Sequence, residues 1–310
     1  MKFLKGLAIT LAGFLLFVSL SAWSTVFMLK QTLANPQFVA GEINKLDTAQ
    51  LGKEMVGDQI KAQLPADLNL TGAVDEVFDE MAPWFKQRLE DITYAVFDYL
   101  GGKAEHVSVE ISLEPVKTAI EAKIKQALAG SLPSGIAGMP PAQQAELIDQ
   151  YAAQYADQVP DNYTFEFGED NIPPEYRGIV SYLRWAVTNL NALYWGLIGL
   201  MVVLALGLFA LYRDIKGFAR SLASPLLTVG VLGFAGIWIS ESLILPQTGM
   251  LGLPPELSRW LGQFIADVDA PLKTLYIGLA ADGVVLFLVS IFWRRSAARA
   301  AGAPAETPPG

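Results

Sequence analysis

Two carboxylic acids stand in stretches that are otherwise apolar. Glu241 lies in GFAGIWISESLILP, residues 233–246, and Asp282 near the middle of LYIGLAADGVVLFLVSIFW, residues 275–293. An ionisable group at membrane depth is costly unless it is paired, wetted or protonated, so such groups mark ion or proton paths and interhelical contacts. Around a helix at about 100° per residue, Gly230, Gly233 and Gly236 form a smooth strip, and Glu241 falls about 20° from Gly230. Small residues let membrane helices pack closely, so Glu241 is expected to face another helix. Arg184 is its expected partner, because Arg184, Thr188, Asn191 and Trp195 recur at i, i+4, i+7 and i+11 on one helical face. Asp282 lies nine residues beyond Lys273, about 13 Å deeper at 1.5 Å per residue, with Gly278 one turn above it. Ser21, Ser24 and Thr25 add polar groups to the first apolar stretch.

Arg184, Asn191, Glu241 and Asp282 therefore make a candidate intramembrane polar focus. The apolar halves LIGLMVVLALGLFAL and VVLFLVSIFW offer no continuation of it. Three readings stay open: interhelical glue, a ligand, ion or proton site in a vestibule open on one side, and an interface to a second membrane protein. The acids do not form the pair of a membrane aspartyl protease, which uses two Asp, one in a Gly-x-Gly-Asp context; here the context is Ala280-Ala281-Asp282-Gly283. No phosphate loop, dinucleotide-binding glycine fingerprint, zinc-protease helix or nucleophile elbow occurs. No enzymatic activity and no cofactor are expected.

Composition sets the frame for these residues. The chain has 310 residues, 52% hydrophobic, too apolar for an ordinary soluble domain. It has no cysteine and one histidine, His106, which removes disulfides, thiolate chemistry and multi-histidine metal sites. No metal is expected, and His106 reads as a surface histidine. A net charge of −9 argues against a nucleic-acid partner.

Four stretches are long and apolar enough to span a bilayer: residues 7–29, 185–212, 222–245 and 272–293. The first has the positive start of a signal peptide, yet its apolar run continues through Trp23, Val26, Phe27 and Met28, which favours an uncleaved anchor. Lys2 and Lys5, then Arg213, Lys216 and Arg220, then Arg294, Arg295 and Arg299 flank the spans. One topology places all eight inside, with both termini cytoplasmic. The expected organisation is an anchor (1–29), an extracytoplasmic acidic domain (30–178), a three-helix membrane region (179–295) and a disordered cytoplasmic tail (296–310).

Residues 30–178 carry 24 Asp and Glu against 11 Lys and Arg. This acidic surface is a solubilising face or a patch for a basic partner. Within it, residues 74–100 have helical spacing, with Trp84, Phe85, Leu89, Ile92, Val96 and Leu100 near one face, stopped by Gly101 and Gly102. HVSVEISL alternates as a half-buried strand, and YTFEF is a second strand able to pair with it. Residues 114–128 and 141–158 read as helices. The Pro-containing stretch 64–68 reads as a break and 131–141 as a loop. Asn69 and Asn162 begin glycosylation sequons, a weak three-letter signal. In the loop between the last two spans, Leu257, Trp260, Leu261, Phe264, Ile265 and Val268 predict a short amphipathic helix over 255–268, lying on the membrane surface or under the acidic domain.

NPQFVAGEINKLD after the first span, then APWFKQRLEDITYAVFDYLGG and VSVEISLEPVKTAI, resemble a family of uncharacterised prokaryotic multi-pass membrane proteins. That family has one N-terminal span, a large extracytoplasmic helical domain and three C-terminal spans. Its middle motif often reads Pro-Pro-x-Trp, where this chain has Met81-Ala82-Pro83-Trp84. The resemblance implies an architecture, and carries no activity or site; the expected location is the plasma membrane.

The expected fold is thus a mainly α membrane protein: four transmembrane helices plus a mostly helical outer domain with a small two-stranded sheet. The expected role is to bind or organise a membrane or extracytoplasmic protein partner at the outer face, with the lipid bilayer as the other partner. A transport or channel component with an outward-facing polar vestibule is the alternative.

Overall fold

The computed structural model describes residues 2–54, 71–130, 138–157, 159–168, 171–243 and 253–301. In chain order its elements are α1 (Lys2–Gln31), α2 (Pro36–Lys45), α3 (Thr48–Gly52), α4 (Thr71–Leu100), β1 (Val107–Ser112), α5 (Glu114–Gly130), α6 (Pro141–Ala156), β2 (Asn162–Phe167), α7 (Pro174–Tyr212), α8 (Ile215–Leu243) and α9 (Pro255–Ala301). The chain is mainly helical, with one two-stranded antiparallel sheet among the described residues. Four helices are long and apolar enough to cross a membrane: α1, α7, α8 and α9. The chain divides into two compact units, Pro36–Thr188 with Thr248–Gln263, and Met1–Asn35 with Asn189–Gln247 and Phe264–Gly310.

The first unit is built around α4, which packs against α2, α3, α5 and β1. Because it is covered from several sides, its core is not one stripe. Met81, Thr93 and Tyr99 are its buried residues, and Leu89, expected on the core face, is 36% exposed. Helical periodicity finds a single wet-to-dry boundary, and a central helix has more than one. At its end Gly102 takes a positive φ of 74°, and Lys103 N donates to Asp98 O at 2.8 Å. The left-handed conformation needs a residue without a Cβ, which Gly supplies. The strand expectation holds: Val107 faces Phe167 and Ile111 faces Tyr163, with Val107 and Ile111 buried. Tyr99, fully buried, meets Phe167 edge-on at 5.6 Å. A second cluster, Ile124, Leu128 and Ala152, joins α5 to α6.

The second unit centres on Leu20, Val229 and Leu279, with Phe17, Trp23, Met201, Leu226, Leu275 and Tyr276 packed around them. The turn between α7 and α8 is short: Arg213 adopts φ 54°, and Asp214 Oδ1 accepts from Gly217 N at 2.7 Å. That bond satisfies an amide at the start of α8.

Two sequence expectations change. The amphipathic segment 255–268 is not a separate helix; it and the last span form one unbroken α9, with Pro271 inside it. Proline costs a helix about one backbone bond and some strain, and Leu272, the residue after it, is buried. The tail expected to be disordered from Ser296 continues α9 to Ala301, because Ala and Arg are strong helix formers. The break at 64–68, the first sequon residue Asn69, most of the 131–141 loop, Ile244 and Leu245 at the end of the third expected span, and residues 302–310 lie outside the described residues.

Candidate functional site

The polar residues of the spans are held by local helix geometry. In the membrane-type unit, Gly230 and Gly233 do face a neighbouring helix. A Cβ on Gly230 would stand 2.6 Å from Ala280 N and 2.8 Å from Tyr276 O, and one on Gly233 would strike the Tyr276 ring. From the other side, a Cβ on Gly283 would lie 2.9 Å from Leu227 N and 3.2 Å from Ala223 O. The α8–α9 seam is therefore a reciprocal glycine contact between backbones. Gly236, the third member of the expected strip, has open space before it.

Glu241 follows this seam to its end and forms an ion pair with Lys273. That is the correction to its expected pairing: the base comes from the facing helix α9. Arg184 instead donates to Ala104 O at 3.4 Å, with its guanidinium 4.9 Å from the Tyr99 ring centroid. Sequence distance along α7 made Arg184 the available base, and Lys273 was legible only as a flanking charge. Asp269 sits one turn before Lys273 on α9; its Oδ2 is enclosed and has no hydrogen bond among the described residues. Asp269 was not singled out in the sequence, and its i, i+4 spacing to Lys273 was the signal that could have found it.

Asn191 accepts from Lys30 Nζ at 2.6 Å, and that ammonium also lies 4.5 Å from the Tyr194 ring centroid. Trp23, Phe27, Tyr194 and Trp195 form a chain of ring contacts around it. Aromatic rings and a lysine at helix ends are the composition of a membrane–water interface. Asp282 is exposed on α9 and has no partner among the described residues. Each of the four residues of the expected focus thus has its own setting.

In the other unit, the start of α9 docks on α2 and α3. Trp260 Nε1 donates to Glu42 O at 2.7 Å, and Glu256 accepts from Asp47 N at 3.4 Å. Of the two placements expected for segment 255–268, contact with the acidic domain is therefore present. Glu42 is 3% exposed; one carboxylate oxygen pairs with Lys45 and the other is unbonded among the described residues. Thr188 and Arg177 of α7 donate to Leu100 O and Ile172 O. His106 is exposed, as is Asn162. On α5, Lys117, Lys123 and Lys125 pair with Asp161, with Glu76 and Glu80, and with Glu121 and Asp149. Hydrogen bonds to these carboxylates raise all three ammonium pKa values above 10.5.

The polar face of α7 is thus turned to the acidic domain. Its other face is not: Tyr176, Ile179, Tyr182 and Leu183 are 54%, 58%, 76% and 50% exposed. They are exposed apolar side chains in the first turns of this helix, and sequence reading missed them because they merge into the apolar run of the span. Comparison with protein-family models, with curated proteins and with solved structures finds no match to this chain.

Proposed function

We propose that this is a non-enzymatic, multi-pass protein of a prokaryotic plasma membrane, whose acidic domain binds or organises a protein partner at the outer face. The observation that carries the reading is the exposed surface of Tyr176, Ile179, Tyr182 and Leu183. Counting back about 20 residues from Tyr212 brings the hydrocarbon edge to about Leu193. Tyr182 then lies about 16 Å further along the helix, beyond a headgroup layer of about 5–8 Å. Lipid does not reach that far, and contiguous exposed apolar surface of this kind marks a protein contact. The eight Lys and Arg flanking the spans support cytoplasmic termini and an outer acidic domain, and the excess of acid favours a partner with basic groups at its rim.

The transport alternative has less behind it. Glu241 is neutralised by Lys273, which is what a helix-joining role requires. The test is purification of the full chain from its native membrane in mild detergent, beside the Ile179→Ser, Tyr182→Ser double variant. A stoichiometric protein retained by the parent chain and lost by the variant supports the reading. Equal recovery with both chains, or with neither, removes it.

A further inference from the structure

On one side of their seam, α8 and α9 leave a groove. Gly230, Val231 and Phe234 of α8 line it with Tyr276, Ile277 and Ala280 of α9, and its volume is about 350 Å³. One turn of helix, about 10 Å wide and 5.4 Å long, fills about 420 Å³. The groove is therefore too small for a further helix and suits an unbranched chain. Both of its helices are apolar and long enough to cross a membrane, where hydrocarbon is the surrounding medium. The groove ends in charge. Around α9 at about 100° per residue, Asp269, Lys273, Tyr276 and Ala280 fall within about 60° of one another, and on α8 Glu241 follows Phe234 by seven residues. Lys273 stands about 10 Å from Ala280 along the axis, inside the roughly 15 Å depth of one leaflet, and Asp269 lies about 6 Å beyond it. Lys273 pairs with Glu241 and, having three donors, has others to offer. Asp269 is partly buried, has no hydrogen bond or ion pair among the described residues, and lies within electrostatic reach of both. Two carboxylates against one ammonium leave one negative charge unmatched.

We propose that this groove binds one bilayer phospholipid with a primary-amine headgroup. An acyl chain lies between α8 and α9, the phosphate accepts from Lys273, and the ammonium donates to Asp269. The order of groups along α9 selects this occupant. From the middle of the span toward its end, the helix presents an apolar wall, then a base, then an acid. The lipid presents an apolar chain, then a phosphate, then an ammonium, so each group meets its complement. A glycerol headgroup lacks the cation that matches Asp269. A choline headgroup carries the charge but has no N–H to donate, and a charge-assisted hydrogen bond needs both.

The test uses the full chain, delipidated in mild detergent and titrated with dioleoyl phosphatidylethanolamine, phosphatidylcholine or phosphatidylglycerol. Native mass spectrometry reads the lipid-bound species. One phosphatidylethanolamine is expected to bind about tenfold more tightly than either of the other lipids. Asp269→Asn, which keeps the size of the side chain and removes its charge, is expected to bring that lipid to the level of the other two. Ala235→Trp, on the groove wall, is expected to abolish its retention. Leu232→Trp, exposed on α8 and outside the groove, is expected to leave it unchanged. Equal binding of the three lipids by the parent chain, a preference for phosphatidylglycerol or phosphatidylcholine, a preference that survives Asp269→Asn, or equal effects of the two tryptophan variants would each overturn the proposal.

Discussion

The two faces of α9 place a glycine and an ionisable group in two opposite settings. On the side facing α8, Gly283 lies against backbone atoms of Leu227 and Ala223, and Lys273 neutralises Glu241. On the other side Gly278 opens onto empty space, and Asp282 has no partner among the described residues. A glycine and an ion pair thus close one face within the chain, while a glycine and an acid leave the other unfinished. The difference teaches that small residues and ionisable groups do not by themselves mark the inside of a membrane bundle. What decides is whether a second backbone is already there.

The largest effect should come from filling the closed side. Gly283→Val places carbon where backbone atoms already stand and should cost about 3 kcal/mol or more, seen as loss of detergent-stable protein and a lowered Tm. Gly278→Val is the control, and its monomer stability should stay within about 0.5 kcal/mol of the parent. Equal losses from the two would end the comparison.

Removing one charge of the closed side comes next. Lys273→Ala leaves Glu241 with no counter-charge and should cost about 1–2 kcal/mol, since both side chains keep some exposure. The Glu241→Ala, Lys273→Ala pair should restore part of that loss. A double-mutant cycle in thermal unfolding measures the coupling, and additive losses would mean the pair contributes nothing.

Asp282→Asn should change the stability of the isolated chain by less than about 0.5 kcal/mol, because no described contact depends on it. A large loss would show that the open face is closed within one chain after all.

The smallest effect lies in the acidic domain. The ammonium groups of Lys117, Lys123 and Lys125 have pKa values raised above 10.5 by their carboxylate partners. A base bound more tightly when folded adds stability that is complete below its unfolded pKa and is lost as pH rises through the folded value. Melting temperature should therefore show no pH dependence from these lysines between about pH 6 and pH 10, and decline above it. These lysines are at the surface, so added salt should reduce the difference between the parent and Lys123→Ala at neutral pH.

Much of the fold was legible because it follows from local periodicity. The alternation of Val107, Val109 and Ile111 identified β1, and the Gly101-Gly102 stop ended α4 where the chain needs a positive φ. The Gly230 and Gly233 strip was legible as a packing face. The partner of Glu241 was not, because a base on a facing helix has no fixed sequence offset. Nor was the core of α4, where cover on several sides hides any single stripe. The expectation that segment 255–268 forms a helix apart from the last span failed because α9 runs unbroken through Pro271, and a proline kinks or weakens a helix without always ending it.

By itself the sequence determined four apolar spans, an acidic helical domain with two strands, and two acids within membrane reach, since each depends only on composition and on periods of about 2 and 3.6 residues. Only the tertiary structure decided which acid is paired and which is left open. That choice depends on the rotation of α9 about its axis, set by the contact of Gly283 with α8, and helix rotation is fixed by packing between helices that are far apart in the chain.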